Sequence, residues 1–133
     1  MDKIGLVNKA LEAREMSYSP YSNFKVGAAL LAQGTKLYIG TNIENAAYSP
    51  TLCAERSAFA AAISDGMSKF TAISIAGWAK SGSGSAFPCG VCRQFMSEFC
   101  DPNFTIIIVN SDKTFTLHTL SELLPNSFGP QNL

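Results

Sequence analysis

The chain has 133 residues, 47% of them hydrophobic and 15% charged, with ten basic residues set against ten acidic ones. That length suits one domain with a core of its own, residues 1–133. The even charge offers no basic stripe for a polynucleotide and no patch for an acidic membrane, so neither is expected as a partner.

No apolar run approaches the ~20 residues of a membrane span. The opening "MDKIGLVNKALEAREM" lacks the basic-then-apolar layout of a secretory signal. A cytoplasmic location is expected, where thiols stay reduced. The four cysteines therefore read as metal ligands, catalytic groups or core residues before they read as disulfides.

Residues 2–16 place Ile4, Val7 and Leu11 on one helical face, with Asp2 as the cap. "SYSPYSN" breaks that pattern. "FKVGAALLA" (24–32) and "KLYIG" (36–40) flank Gln33, Gly34 and Thr35 and predict a hairpin. A helix follows over 52–65, closed by Asp65 and Gly66. "FTAISIAGW" (70–78) is almost unbroken in its apolar character, as a strand buried on both faces would be. "SGSGS" (81–85) reads as a flexible surface loop. Beyond it come a helix at about 90–99, a buried strand at 104–110 and a strand at 114–118. Ser111, Asp112 and Lys113 are too few for a parallel crossover, so the last two strands are antiparallel. A short helix at 119–124 ends at Pro125. Strands alternating with helices give an α/β class: a mixed five-stranded sheet covered by helices.

The chemistry gathers at two helix starts. Cys53 opens the 52–65 helix, and Cys89 and Cys92 form C-x-x-C at the start of the next, behind Pro88. Helix amino termini carry partial positive charge and favour thiolate over thiol. Three converging thiolates would hold zinc with one tetrahedral position open, the catalytic rather than the closed structural pattern. The C-x-x-C pair alone also fits a redox couple or half of a structural zinc knuckle. A closed site would need Cys100 or His118. Cys100 lies at the far end of its helix, some ~12 Å along the axis from Cys92, and reads as a small apolar residue. His118, on an edge strand, reads as a surface or satisfied histidine.

Glu55 is costly in an Ala- and Phe-rich helix unless it works there. Beside a zinc site it can accept and return a proton. Zinc deaminases of nucleobases pair H-x-E, with cysteine allowed at the histidine, with P-C-x-x-C. Here these are Cys53-Ala54-Glu55 and Pro88-Cys89-Gly90-Val91-Cys92. Three thiolates and Zn²⁺ sum to a net negative site, so Arg56 is expected to draw charge from the sulfurs. Its alternative is a surface salt bridge.

The stretches "YSPYSNFKVGAAL", "GTNIENAAYSPTLCAERSA", "PCGVCRQFMSEF" and "ELLPNSFGP" resemble the cytidine deaminase family, in its small, homotetrameric, three-cysteine form. The resemblance implies a three-layer cytidine deaminase-like fold and hydrolytic deamination of cytidine and 2′-deoxycytidine to their uridine counterparts plus ammonia, in pyrimidine salvage. It implies one Zn²⁺ per subunit on Cys53, Cys89 and Cys92. Glu55 would move protons to N3 and to the departing ammonia. It also implies that Asn42 and Glu44 hold the ribose and that Phe24 packs on the pyrimidine. Ala54 would offer its backbone to the base. Tyr48 would border a subunit boundary, and Phe128 would reach a neighbour's pocket, so active sites would be shared. Read without the resemblance, Asn42 and Glu44 are also plain loop residues and Phe24 is core. The open alternatives are a deaminase of a modified cytosine such as blasticidin S, a deaminase of RNA or DNA, and a zinc-stabilised binding module.

Overall fold

The computed structural model describes residues 1–133. Helix α1 (Lys3–Glu15) starts where expected, with the Asp2 side chain accepting from the Gly5 amide at 2.8 Å. Its buried face is made by Leu6, Val7, Ala10, Ala13 and Arg14, whereas Ile4 is 61% exposed. Of the expected stripe, Val7 is buried and Leu11 packs against the same core, but Ile4 does not join it. Ala10, Ala13 and Arg14 complete the packing face, and neither alanine nor arginine registers in a count of large apolar residues. Arg14 is buried because its guanidinium lies 4.1 Å from the Trp78 ring centroid and donates to the carbonyls of Trp78 and Ala79 at 2.9 and 3.2 Å.

Strands β1 (Phe24–Ala32) and β2 (Lys36–Thr41) form the predicted hairpin. Gln33 and Gly34 both have positive φ, 53° and 81°, and the Thr35 amide donates to the Ala32 carbonyl at 3.2 Å. That is the turn whose twist matches paired strands. Helix α2 (Ala54–Ser64) begins two residues later than expected, because Cys53 is its cap. It is followed by β3 (Phe70–Ala79), α3 (Gly90–Phe99), β4 (Thr105–Val109), β5 (Phe115–Thr119), α4 (Leu120–Leu123) and a 3₁₀ turn at Pro130–Asn132.

The sheet order is β2-β1-β3-β4-β5, with β3 and β4 parallel and every other pair antiparallel. The last two strands pair as expected. Alternation divides the strands between two cores. Ala28, Leu30, Ile73, Ile75, Ile106 and Ile108 face α2, α3 and α4. Ala29, Leu31, Ala72, Ala76, Ile107 and Val109 face α1. Three layers result, which is why β3 reads as continuous apolar sequence. The loop after β3 is tied down at Gly84, whose amide donates to Ser111 Oγ at 3.0 Å while its carbonyl accepts from the Ser111 amide at 2.9 Å.

Two glycines let the helices approach. A Cβ on Gly27 would overlap the α1 backbone at Ala10 and Arg14, and one on Gly40 would overlap α2 at Ala54 and Ala58. Gly27→Ala is expected to cost about 1–3 kcal/mol by overpacking, read as a drop of several degrees in melting temperature. An unchanged melting temperature would mean that α1 does not depend on this close seat.

Candidate active site

Cys53 and Cys89 occupy the cap positions of α2 and α3, where Ser, Thr or Asp would normally accept from the helix backbone. Neither sulfur makes such a bond. The two sulfurs face each other instead, 3.7 Å apart. Cys92, in the first turn of α3 and fully buried, brings the third, and all three lie within 4.8 Å of one another. Zinc with sulfurs at about 2.3 Å in a tetrahedron sets those sulfurs roughly 3.8 Å apart, so the spacing fits that ion.

Among the three thiols, Cys53 is pushed down to about 5, chiefly by its hydrogen bond with Cys92 and further by Arg56 and Cys89. The same Cys53 bond and burial raise Cys92. Arg56 Nη2 lies 3.4 Å from the Cys53 sulfur, where its positive charge favours thiolate. Cys100 stands apart from the trio, half-buried at the end of α3, with burial pushing its thiol up to about 12. His118 sits on edge strand β5, against the Phe87 ring at 5.0 Å and Thr116 Oγ1 at 2.9 Å.

Glu55 follows Cys53 by two residues and is only 4% exposed. Burial, with the Cys53 thiolate adding to it, pushes its carboxyl up to about 7. A carboxyl balanced near neutral pH can both take and give a proton.

A second cluster is laced to this one by backbone pairing. Ile43 and Leu52 exchange hydrogen bonds at 2.9 Å, tying the 42–44 segment to the approach of Cys53. The Tyr18 amide donates to the Asn42 carbonyl at 3.1 Å, and the Glu44 amide donates to the Tyr18 carbonyl at 2.9 Å. Asn42 is buried, and its side chain is oriented by obligate partners. Its Oδ1 accepts from the Val26 amide at 3.0 Å and from the Ser17 hydroxyl, while Nδ2 donates to the Phe24 carbonyl at 2.8 Å. Glu44 accepts from the amides of Tyr21 and Ser22 at 2.9 and 3.1 Å and from the Ser22 hydroxyl.

A cavity of about 380 Å³ is lined by Tyr21, Ser22, Glu44, Asn45, Tyr48 and Thr51. Cys53, Glu55, Phe24 and Asn42 are not among its lining residues; Thr51, which is, precedes Cys53 by two positions in the chain. Phe24 is 38% exposed at the start of β1. Ala54 is fully buried at the start of α2. Tyr48, at φ 64° and 73% exposed, meets Tyr21 edge-on at 6.5 Å between centroids. Phe128 does not join this cavity. It is 59% exposed in the tail, where its carbonyl accepts from Gln94 Nε2 on α3 at 2.9 Å.

Residues 2–108 match the sequence model of a family described as the cytidine and deoxycytidylate deaminase zinc-binding region. The chain belongs to the cytidine deaminase family.

A cytidine deaminase from Sporosarcina psychrophila is 43% identical over 133 residues, spanning 100% of this chain and 96% of that protein. One from Halalkalibacterium halodurans is 41% identical, spanning 100% and 98%. A crystal structure of cytidine deaminase from Burkholderia pseudomallei superposes with a TM-score of 0.88 at 39% identity, covering 96% of this chain and all of that one. The cytidine deaminase fold is thus shared with enzymes of a hydrolase family. No helix is long and apolar enough to cross a membrane. Ser17, Tyr21, Ser22, Asn45 and Thr51 were not singled out from sequence. They are ordinary turn residues there, and only the pairing around Tyr18, Ile43 and Leu52 gives them a shared location.

Proposed function

We propose that residues 1–133 form one catalytic domain that hydrolyses cytidine and 2′-deoxycytidine to uridine and 2′-deoxyuridine, releasing ammonia. The observation that carries this is the buried Glu55 carboxyl, two residues along the chain from Cys53 in a trio of converging sulfurs. Cys53, Cys89 and Cys92 would hold one zinc per subunit. Bound there, zinc supplies the Lewis acidity that makes water a nucleophile at neutral pH. Glu55 does the proton work: its carboxylate takes a proton from the attacking water and delivers it to N3, then takes the second proton from the new C4 hydroxyl and passes it to the amine, which leaves as ammonia while the C4 carbonyl forms. Arg56 offsets the negative charge that the sulfurs would otherwise press on the site. Phe24 packs on the pyrimidine, and the backbone at Ala54 meets its polar edge.

The sugar reading rests on hydrogen-bond valence. Of the roughly four acceptor positions of a carboxylate, the chain already fills three on Glu44. Asn42 has its Oδ1 filled twice and one of its two N–H groups used. One acceptor and one donor remain, the complement of a single hydroxyl. We assign it to the 3′-hydroxyl, the ring hydroxyl that both nucleosides share. A carboxylate there is also a poor neighbour for phosphate groups.

Tyr48 and Phe128 are exposed aromatics of the kind a homotetramer would bury in shared active sites. The same reading places the enzyme in the cytoplasm, in salvage of pyrimidine nucleosides, with no nucleic acid or membrane partner.

Loss of ultraviolet absorbance on cytidine, 2′-deoxycytidine and blasticidin S tests this directly. Both nucleosides should turn over, with kcat/KM within about fivefold of each other, since the 2′-hydroxyl makes no bond worth the ~1 kcal/mol of a typical one. The preparation should carry one zinc per chain and sediment as a tetramer. Inactivity on both nucleosides removes the reading, and turnover of blasticidin S alone would replace it with a deaminase of modified cytosine.

A further inference from the structure

Ser22 touches both the sugar-holding carboxylate and the start of β1, and no step described so far uses it. Its hydroxyl oxygen accepts from the Phe24 amide at 3.0 Å. With that N–H occupying the oxygen, the hydroxyl proton goes to Glu44 Oε2. The Ser22 amide meanwhile donates to the other carboxylate oxygen, Oε1, at 3.1 Å, next to the Tyr21 amide at 2.9 Å. One residue therefore grips both oxygens of one carboxylate and fixes its plane. The hydroxyl bond is also the foremost reason that the Glu44 carboxyl is held below the usual range.

We propose that Ser22 is a positioning residue of the sugar site, holding the Glu44 carboxylate so that its one uncommitted acceptor position is ready for a sugar hydroxyl. This rests on the nucleoside reading above. Ser22 lines the same cavity as Glu44, so the grip is applied where the ligand would enter. In Ser22→Ala, Oε2 loses its donor and the carboxylate is left attached through Oε1 alone.

The test uses the zinc-loaded enzyme and its Ser22→Ala and Ser22→Thr variants on cytidine and on 2′,3′-dideoxycytidine, which lacks both ring hydroxyls. For Ser22→Ala, KM for cytidine should rise about five- to tenfold, the scale of one hydrogen bond to a charged group, while kcat holds. On dideoxycytidine, kcat/KM should stay within about twofold of the unsubstituted enzyme, so the variant's preference for cytidine shrinks by about the full KM factor. Ser22→Thr keeps the hydroxyl and should recover most of the cytidine KM. Equal losses on both substrates, a loss in kcat alone, or no change in preference would overturn the proposal. Turnover of cytidine by the unsubstituted enzyme tells the two failures apart. If it is absent, the nucleoside reading has failed and takes this role with it. If it is normal and the preference does not move, only the positioning role fails.

Discussion

Glu55→Gln is expected to leave fold and zinc content unchanged and to slow cytidine turnover at least about 10³-fold. Glutamine matches the carboxyl in shape and fills the same buried position at the start of α2. It also removes a charge that burial already disfavours, as the upward displacement of the carboxyl to about 7 shows. Thermal stability should therefore be retained or slightly improved. What disappears is the group that takes a proton and returns it, and no other titratable side chain shares its buried place beside the sulfurs. Paired measurements of zinc content, melting temperature and kcat check this. A variant with full zinc and near-normal kcat would remove Glu55 from the proton path.

Cys89→Ala acts on the other half of the chemistry. It leaves Cys53 and Cys92, two sulfurs where the trio had three. Loss of a hydrogen-bonding partner outside the ligands already weakens metal sites about 10- to 100-fold, so loss of a ligand should exceed about 100-fold. At fixed zinc, a 100-fold weaker site gives up about 2.7 kcal/mol of linked stability. For a chain of this size that is roughly 10 °C in melting temperature. Zinc analysis after dialysis and a thermal melt with and without chelator provide the readout. The unsubstituted protein should lose at least this increment on chelation, and the variant correspondingly less. Full zinc retention by the variant would show that Cys89 is not a ligand.

The convergence of the three cysteines could be anticipated from the chain because residue type and spacing point to it: a cysteine and a glutamate two apart, then proline and C-x-x-C. The β1–β2 hairpin and the β4–β5 pair were equally legible, since loop length alone decides their direction. The seat of α1 was only partly so. Val7 and Leu11 stood out by apolar periodicity, whereas Ala10, Ala13 and Arg14, lying close over Gly27, leave no trace in it. Asn42 was visible only as a polar residue before a glutamate. Its bonds to the Val26 amide and the Phe24 carbonyl depend on β1 and β2 being neighbours. Ser22 was hidden for a similar reason. The contacts that give it a role join residues 22 apart, through isolated bridges too short to impose any pattern on sequence.

Cys53 and Cys89 are 36 positions apart, and central strand β3 runs between them. No fragment ending before Cys92 contains the complete trio. The chain must close that long stretch, and lay β3 beside β1, before a cation gives anything back. Zinc should then act as a latch, fastened last. Its presence should lengthen the lifetime of the folded enzyme by slowing its opening, while the rate at which fresh chains collapse hardly responds to metal.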